Sequence, residues 1–427
     1  MPDVSVESLL VVSVVAAAAP LFLGLVPRLS VPAVVLEILA GVALGPAVLG
    51  LIEIDLPVQI LALIGLAFLL FLAGLEIDVA RLRGRLLRLA LLGYVVSLAL
   101  GVPIGLGLDA AGLVEDPALL AIALSATGLG LVVPVLKDAR RADSDVGQTI
   151  IVAATVADLG AVVALSLLFS TEEGSAGSRA VLLAAFVALV AITAAVVWRA
   201  GRSMRLGDVL VRLQDTTAEI RVRFAILLLI GFTALAEQFG LESILGAFVA
   251  GVVVVSLVDR DSSSHPHFRT KLEAIGFGLL IPVFFISSGA QLDVRGLVDD
   301  PAALLRVPVF LVALLVIRGL PALLYLSTLG RVPTMAAGLL QATSLPFIVA
   351  ATQIGIELGE ISALTGTALV VAGLLSVLLF PATALALLHR DERPATPTGP
   401  SAGPHARNGA SGPFSRRRRP ARGRVAT

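Results

Sequence analysis

The chain has 427 residues, 57% of them hydrophobic and 15% charged, with a formal net charge of zero and no cysteine. Soluble domains carry about 25% charged residues, so a soluble globular class is excluded; disulfides, thiolate chemistry and cysteine-bound metal are excluded with it. The apolar surplus recurs in blocks of about 20 residues, the length of a helix that crosses hydrocarbon, and too continuous for the alternating strands of a membrane barrel.

Charged clusters divide the chain into thirteen apolar blocks. The first, 7–26, follows Asp3 and Glu7 instead of a basic region, which predicts a retained helix and not a signal peptide. The second and third, 31–52 and 57–78, carry Glu37 and Glu76 nearer one face, where they line an access funnel or snorkel to the surface. The fourth spans 89–108. The fifth, 117–136, reads SATGLGLVVP across its middle, with Gly128, Gly130 and Pro134 weakening the helix ladder beside Ser125 and Thr127. Those hydroxyls, or a freed carbonyl, could meet a partly dehydrated cation; each could equally bond its own helix.

The sixth block, 146–170, holds Asp158 as the one charge between 146 and 171. A carboxylate at a helix centre costs about 2.5–3.5 kcal/mol on insertion scales, so it is functional by default, the bland alternative being a neutral or paired group that glues helices. Such a group can hold a proton or, once ionised, a bare monovalent cation, but not both well. That competition is antiport chemistry in one residue.

Blocks at 179–198, 224–240, 242–258 and 272–292 follow. The eleventh, 303–328, has Arg318 as its sole central charge. A guanidinium stays ionised, so it must be paired or balanced, by Asp158 or by helix carbonyl ends. The twelfth, 332–356, repeats the broken-helix signal, with Gln341, Thr343, Ser344 and Pro346, and the thirteenth spans 361–388. The tail, 391–427, is rich in Pro, Gly, Ser and Arg and reads as disordered, basic and lipid-binding, with nucleic acid not expected.

Connections alternate in sign along the chain. Of 31 Lys and Arg, 27 fall in one set of connections. The positive-inside rule predicts the N-terminus outside and the C-terminus in the cytoplasm; the expected location is the inner cell membrane. FLAGLEIDVARL (71–82) resembles ISSGAQLDVRGL (286–297) at an offset of 215, and ATGLGLVV (126–133) resembles ATSLPFIV (342–349) at 216. Each pair lies seven spans apart, so the copies run in opposite directions, as in the inverted repeats of secondary transporters. The expected fold is an all-α polytopic membrane protein of about thirteen transmembrane helices in two inverted six-helix repeats. No constellation supports an enzyme, and no pattern requires a cofactor.

Several stretches together resemble one family: VPAVVLEILAGVALGPAVLGL (31–51), LAFLLFLAGLEIDVARL (66–82), ATGLGLVVPVLKDA (126–139), VADLGAVVA (156–164), GLESILGAFVAG (240–251), KLEAIGFGLLIPVFFISSGAQLD (271–293) and GEIS (359–362). They are similar to the monovalent cation:proton antiporters of the sodium/hydrogen exchanger superfamily, in the branch with bacterial sodium/proton and Kef-like potassium/proton systems. The resemblance covers nearly all of residues 5–390. It implies a transmembrane domain over 1–390, with a core of spans 4–6 and 11–13 whose discontinuous helices cross near Asp158. It implies a dimerisation domain from spans 1–3 and 8–10, linked by span 7, against which the core moves like an elevator in a homodimer. Asp158 matches the family's ion-binding aspartate, where a transient monovalent cation and a proton would compete. Thr127 matches the broken-helix threonine, and Arg318 the basic, charge-balancing residue of the eleventh span; Ser125, Gln341, Thr343 and Ser344 would line the site. Ala157-Asp158 departs from the paired-acid, Asn-Asp and Gln-Asp patterns, although a single carboxylate favours one-for-one exchange. A potassium/proton efflux system and a non-transporting sensor or scaffold are the alternatives.

Overall fold

The computed structural model describes residues 7–26, 31–77, 84–169, 176–201, 219–258 and 267–391. Asp78 and the basic tail from 392 lie outside the described residues. Those described form helices and turns, without strand. In chain order the helices are α1 (Glu7–Leu25), α2 (Ala33–Leu44), α3 (Leu56–Leu75), α4 (Gly84–Ala110), α5 (Pro117–Ser125), α6 (Leu129–Asp138), α7 (Asp145–Leu168), α8 (Ala176–Gly201), α9 (Ile220–Gln238), α10 (Ser243–Val258) and α11 (His267–Ile275). A π-helical turn, Gly276–Leu280, joins α11 to α12 (Ile281–Ala290). After α13 (Val294–Asp299) comes one long irregular helix: α14 (Pro301–Leu314), a π-turn Leu315–Gly319, a 3-10 turn Leu320–Tyr325 and α15 (Leu326–Leu329). The chain continues with α16 (Arg331–Gln341), α17 (Pro346–Glu357) and α18 (Ala363–Asp391).

Nine described segments are helical, long and apolar enough to cross a membrane, and Ala33–Leu44, Val181–Thr193 and Ser243–Val255 are shorter apolar helices. With α9 these occupy the thirteen predicted positions. The second span is shorter than predicted. Its helix ends at Leu44 because Gly45 and Pro46 leave the ladder and Gly50 turns the chain back at φ +65.

The acids that mark one set of connections also start helices. Asp55 accepts from the Val58 amide (3.1 Å), Asp116 from Leu119 (2.8 Å), Asp293 from Gly296 (2.9 Å) and Asp300 from Ala302 (2.9 Å). Each satisfies an orphan donor of a first turn, and proline follows directly after Asp116 and Asp300. Charge pattern and helix boundary are therefore set by the same residues.

The helices pack in two groups. α1–α3, α9–α11, the 276–280 turn and α12 contact one another, as do α4–α7, the 301–329 helix and α16–α18. α8 touches α7, α9 and α10. In lipid there is little hydrophobic drive between helices, so close approach at small residues carries the packing. The repeat uses its glycines in the same way in both copies. A Cβ on Gly74 would lie 2.2 Å from the Phe248 carbonyl oxygen of α10, and one on Gly289 2.2 Å from the Ile38 carbonyl oxygen of α2. Facing them, a Cβ on Gly251 or Gly41 would meet Phe71 O or Ile286 O at 2.1 Å. Gly289→Ala is therefore expected to force α2 and α12 apart at about 1–3 kcal/mol, the range of overpacking. Thermal unfolding in detergent would show it as a lower midpoint.

Candidate functional site

Two helices break at matching places. Residues 126–128 separate α5 from α6, and residues 342–345 separate α16 from α17. Gly128 precedes the first turn of α6 and Pro346 opens α17, so the residues that weaken the ladder stand at the restart of each half-helix. The breaks meet. The Gly128 amide donates to the Thr343 carbonyl (2.8 Å), and the Thr127 hydroxyl donates to the Gln341 carbonyl (2.7 Å). The crossing thus consumes backbone groups that hydrocarbon would leave unpaired.

Asp158 lies on α7 against this crossing. Its Oδ1 accepts from the Thr127 amide at 2.9 Å and its Oδ2 from the Leu129 amide at 3.3 Å. The carboxylate therefore sits at the N-terminus of α6, where free amides and the helix dipole favour negative charge. Asp158 is partly exposed as a residue, while its carboxyl group is enclosed among these partners.

Arg318 is 1% exposed and lies in the π-turn Leu315–Gly319. A π-turn adds a residue to one helical turn and is frequent at functional sites. Its Nε and Nη2 donate to the Thr127 hydroxyl at 2.9 and 2.7 Å, and its Nη1 donates to the Ser97 hydroxyl at 3.1 Å. The guanidinium makes no ion pair with Asp158; Thr127 stands between them. Its amide holds the anion while its hydroxyl takes the cation, so the two charges share one residue and act on each other through space.

The other candidates sort clearly. Ser125 donates to the Ile122 carbonyl (2.9 Å) and Thr343 to the Leu339 carbonyl (3.2 Å), so both hydroxyls bond their own helices. Gln341 contributes its carbonyl to the crossing, while its side-chain Nε2 and the Ser344 hydroxyl are buried without a hydrogen-bond partner. Glu76 caps α3 beside Gly130, with Arg269 3.7 Å from its Oε1, and feels Lys137 and Asp158 electrostatically. Glu37 is 5% exposed on α2, and no hydrogen bond joins it to the crossing among the described residues.

Two partners have no sequence signal. Ser97 is one of many serines in apolar helices. Ser376, on α18, accepts from the Ser344 amide (3.2 Å) and bonds the Gly373 carbonyl (2.7 Å). It holds the second break as Asp158 holds the first, so the repeat is visible in the hydrogen bonding, with a hydroxyl in place of the carboxylate.

The family described as "Sodium/hydrogen exchanger, transmembrane" matches residues 13–389. The Bacillus subtilis protein YjbQ is 32% identical over 409 residues, which is 92% of this chain and 65% of that protein. The chain thus spans just under two thirds of YjbQ's length. The Na+/H+ antiporter of Enterococcus hirae is 32% identical over 273 residues, covering 62% of this chain and 68% of that one. Among solved structures, the sodium proton antiporter MjNhaP1 from Methanocaldococcus jannaschii superposes with a TM-score of 0.66, covering 90% of this chain and 98% of that one. At 16% identity that likeness is one of fold. With its apolar helices, crossed breaks and embedded carboxylate, this multi-pass membrane protein belongs to the sodium/hydrogen exchanger family.

Proposed function

We propose that the protein exchanges a monovalent cation, Na+ or K+, for a proton across the cell membrane, with both ions competing for Asp158. The observation that carries this is a carboxylate held by two main-chain amides at a half-helix N-terminus, with a buried guanidinium one residue away. The amides orient the carboxylate and leave its remaining lone pairs for an incoming ion. Arg318 balances the charge without occupying the carboxylate, so the site need not expel a partner before binding a cation.

The exchange is electroneutral. Asp158 with a proton and Asp158 with a monovalent cation carry the same charge, and Arg318 keeps its own in both states. The group containing α4–α7 and α16–α18 is the moving core; the group containing α1–α3 and α9–α12 is the scaffold, paired with a second copy in a homodimer. The core slides against it like an elevator. Basic connections face the cytoplasm under the positive-inside rule, the N-terminus lies outside and the C-terminus inside. Glu76, beside Lys137 and Arg269, then stands on the cytoplasmic approach to Asp158.

Purified protein in liposomes with an imposed pH gradient tests this. Adding Na+ or K+ is expected to dissipate the gradient at a rate indifferent to a clamped membrane voltage. A voltage-dependent rate would overturn electroneutrality. Absence of any response to either cation would favour a sensor or scaffold.

A further inference from the structure

At the end of the molecule remote from Lys137 and Arg269 lies a small cavity, apolar over most of its wall, that the ion site does not use. It sits between α12 of one packing group and α17 and α18 of the other, with about 50 Å³ of space that water can enter, part of it open to the surface. Val349, Thr352, Gln353 and Ile356 present one stripe of α17 to it, at the spacing of a helix face. The cavity follows α17 from just past Pro346, where the break ends, to Glu357 at the helix terminus.

Six polar side chains line it: Ser288, Gln291, Thr352, Gln353, Glu357 and Thr367. Three observations single it out. First, the Thr352 hydroxyl is buried and has no hydrogen-bond partner. Threonines inside helices commonly bond the carbonyl four residues back, as Thr149, Thr155 and Thr233 do here at 2.7, 2.8 and 2.8 Å. Thr352 leaves its oxygen to the cavity. Second, Gln353 Nε2 donates to Ser288 Oγ at 3.0 Å, and Ser288 donates to the Phe284 carbonyl at 2.7 Å. That pair ties α17 to α12 across the boundary between the packing groups. Third, Glu357 places a carboxylate on the cavity wall at the C-terminal end of α17.

We propose that this cavity is the outer access vestibule to Asp158, latched shut by the Gln353–Ser288 hydrogen bond, and that it receives a partly hydrated monovalent cation on Glu357 and the Thr352 hydroxyl. The proposal rests on the core moving against the scaffold. Sliding α17 along α12 must break the Gln353–Ser288 bond, and a cavity that widens there extends toward the crossing. Hydroxyl and amide oxygens along one helix face can replace part of a cation's water shell, and the Glu357 carboxylate raises its local concentration.

The chain has no cysteine, so a single introduced thiol reports alone. Val349→Cys, which leaves Thr352 and Glu357 in place, is made in the full-length protein in sealed vesicles of known orientation, and a membrane-impermeant thiol reagent is added to the outer face. Gln353→Ala and Ser288→Ala are each expected to speed labelling roughly tenfold, the population shift from losing one net hydrogen bond. Ser288→Thr, which keeps the acceptor, should leave the rate unchanged. In the unlatched variants external Na+ or K+, but not choline, should slow labelling, and Glu357→Gln should remove that protection. Unchanged labelling in both alanine variants, or access only from the opposite face, would overturn the latch. Equal effects of choline and the alkali cations would overturn the cation vestibule. Labelling reports opening whether or not ions move, so a failed exchange assay with latch-dependent labelling would sink the transport reading separately.

Discussion

Asp158→Asn is expected to reduce cation-dependent proton movement in liposomes to the background of protein-free vesicles, while the protein remains folded and monodisperse. The substitution keeps the size of the side chain and one carbonyl oxygen, so one of the two amides, Thr127 or Leu129, keeps its acceptor. The other faces an NH2 group, a donor against a donor, and loses a hydrogen bond whose absence costs about 1–3 kcal/mol. That is too little to unfold a chain whose remaining backbone is helical, but the amide can neither bind a proton nor neutralise a cation. Function and fold are thus separable at this position. Exchange at the wild-type rate in Asp158→Asn would show that the shared site lies elsewhere.

Thr127 is expected to tolerate serine and not valine. Its hydroxyl donates to the Gln341 carbonyl and accepts two donors of Arg318. Valine has nearly the same shape but strands a buried guanidinium with Ser97 as its remaining side-chain partner. A buried donor left unpaired costs about 1–3 kcal/mol, and more when charged. Thr127→Val should therefore lower the thermal midpoint in detergent and slow exchange roughly tenfold or more, since each 1.36 kcal/mol is a factor of ten. Thr127→Ser keeps the oxygen and should retain both. If valine and serine behaved alike, the hydroxyl would not be the link between Arg318 and the crossing.

These two predictions differ in how far sequence leads to them. Asp158 and Arg318 are legible because a charge in hydrocarbon is expensive and stands out against an apolar run. Thr127 is legible only through its neighbours, since the glycines and prolines at 128, 130, 134 and 346 mark where a helix ladder fails. Hydroxyls carry no such signal. Serine and threonine are cheap in a membrane helix because they can bond their own carbonyls, as Ser125 and Thr343 do. Nothing in composition separates those from Ser97, which meets Arg318, or Ser376, which holds the second break.

The sequence by itself determined the helical class, the thirteen spans, the antiparallel repeat and the embedded charges, because each follows from transfer energies and from the local geometry of Gly and Pro. Tertiary structure decided the rest. It brought Thr127 between two charges 160 residues apart (Asp158 to Arg318), placed the amides of α6 on the carboxylate, and widened the eleventh span into a π-turn at Arg318. It also divided the helices into two groups and left a small cavity between them. Those are pairings between segments far apart in the chain, and periodicity records only which face of a helix is buried, not which partner covers it.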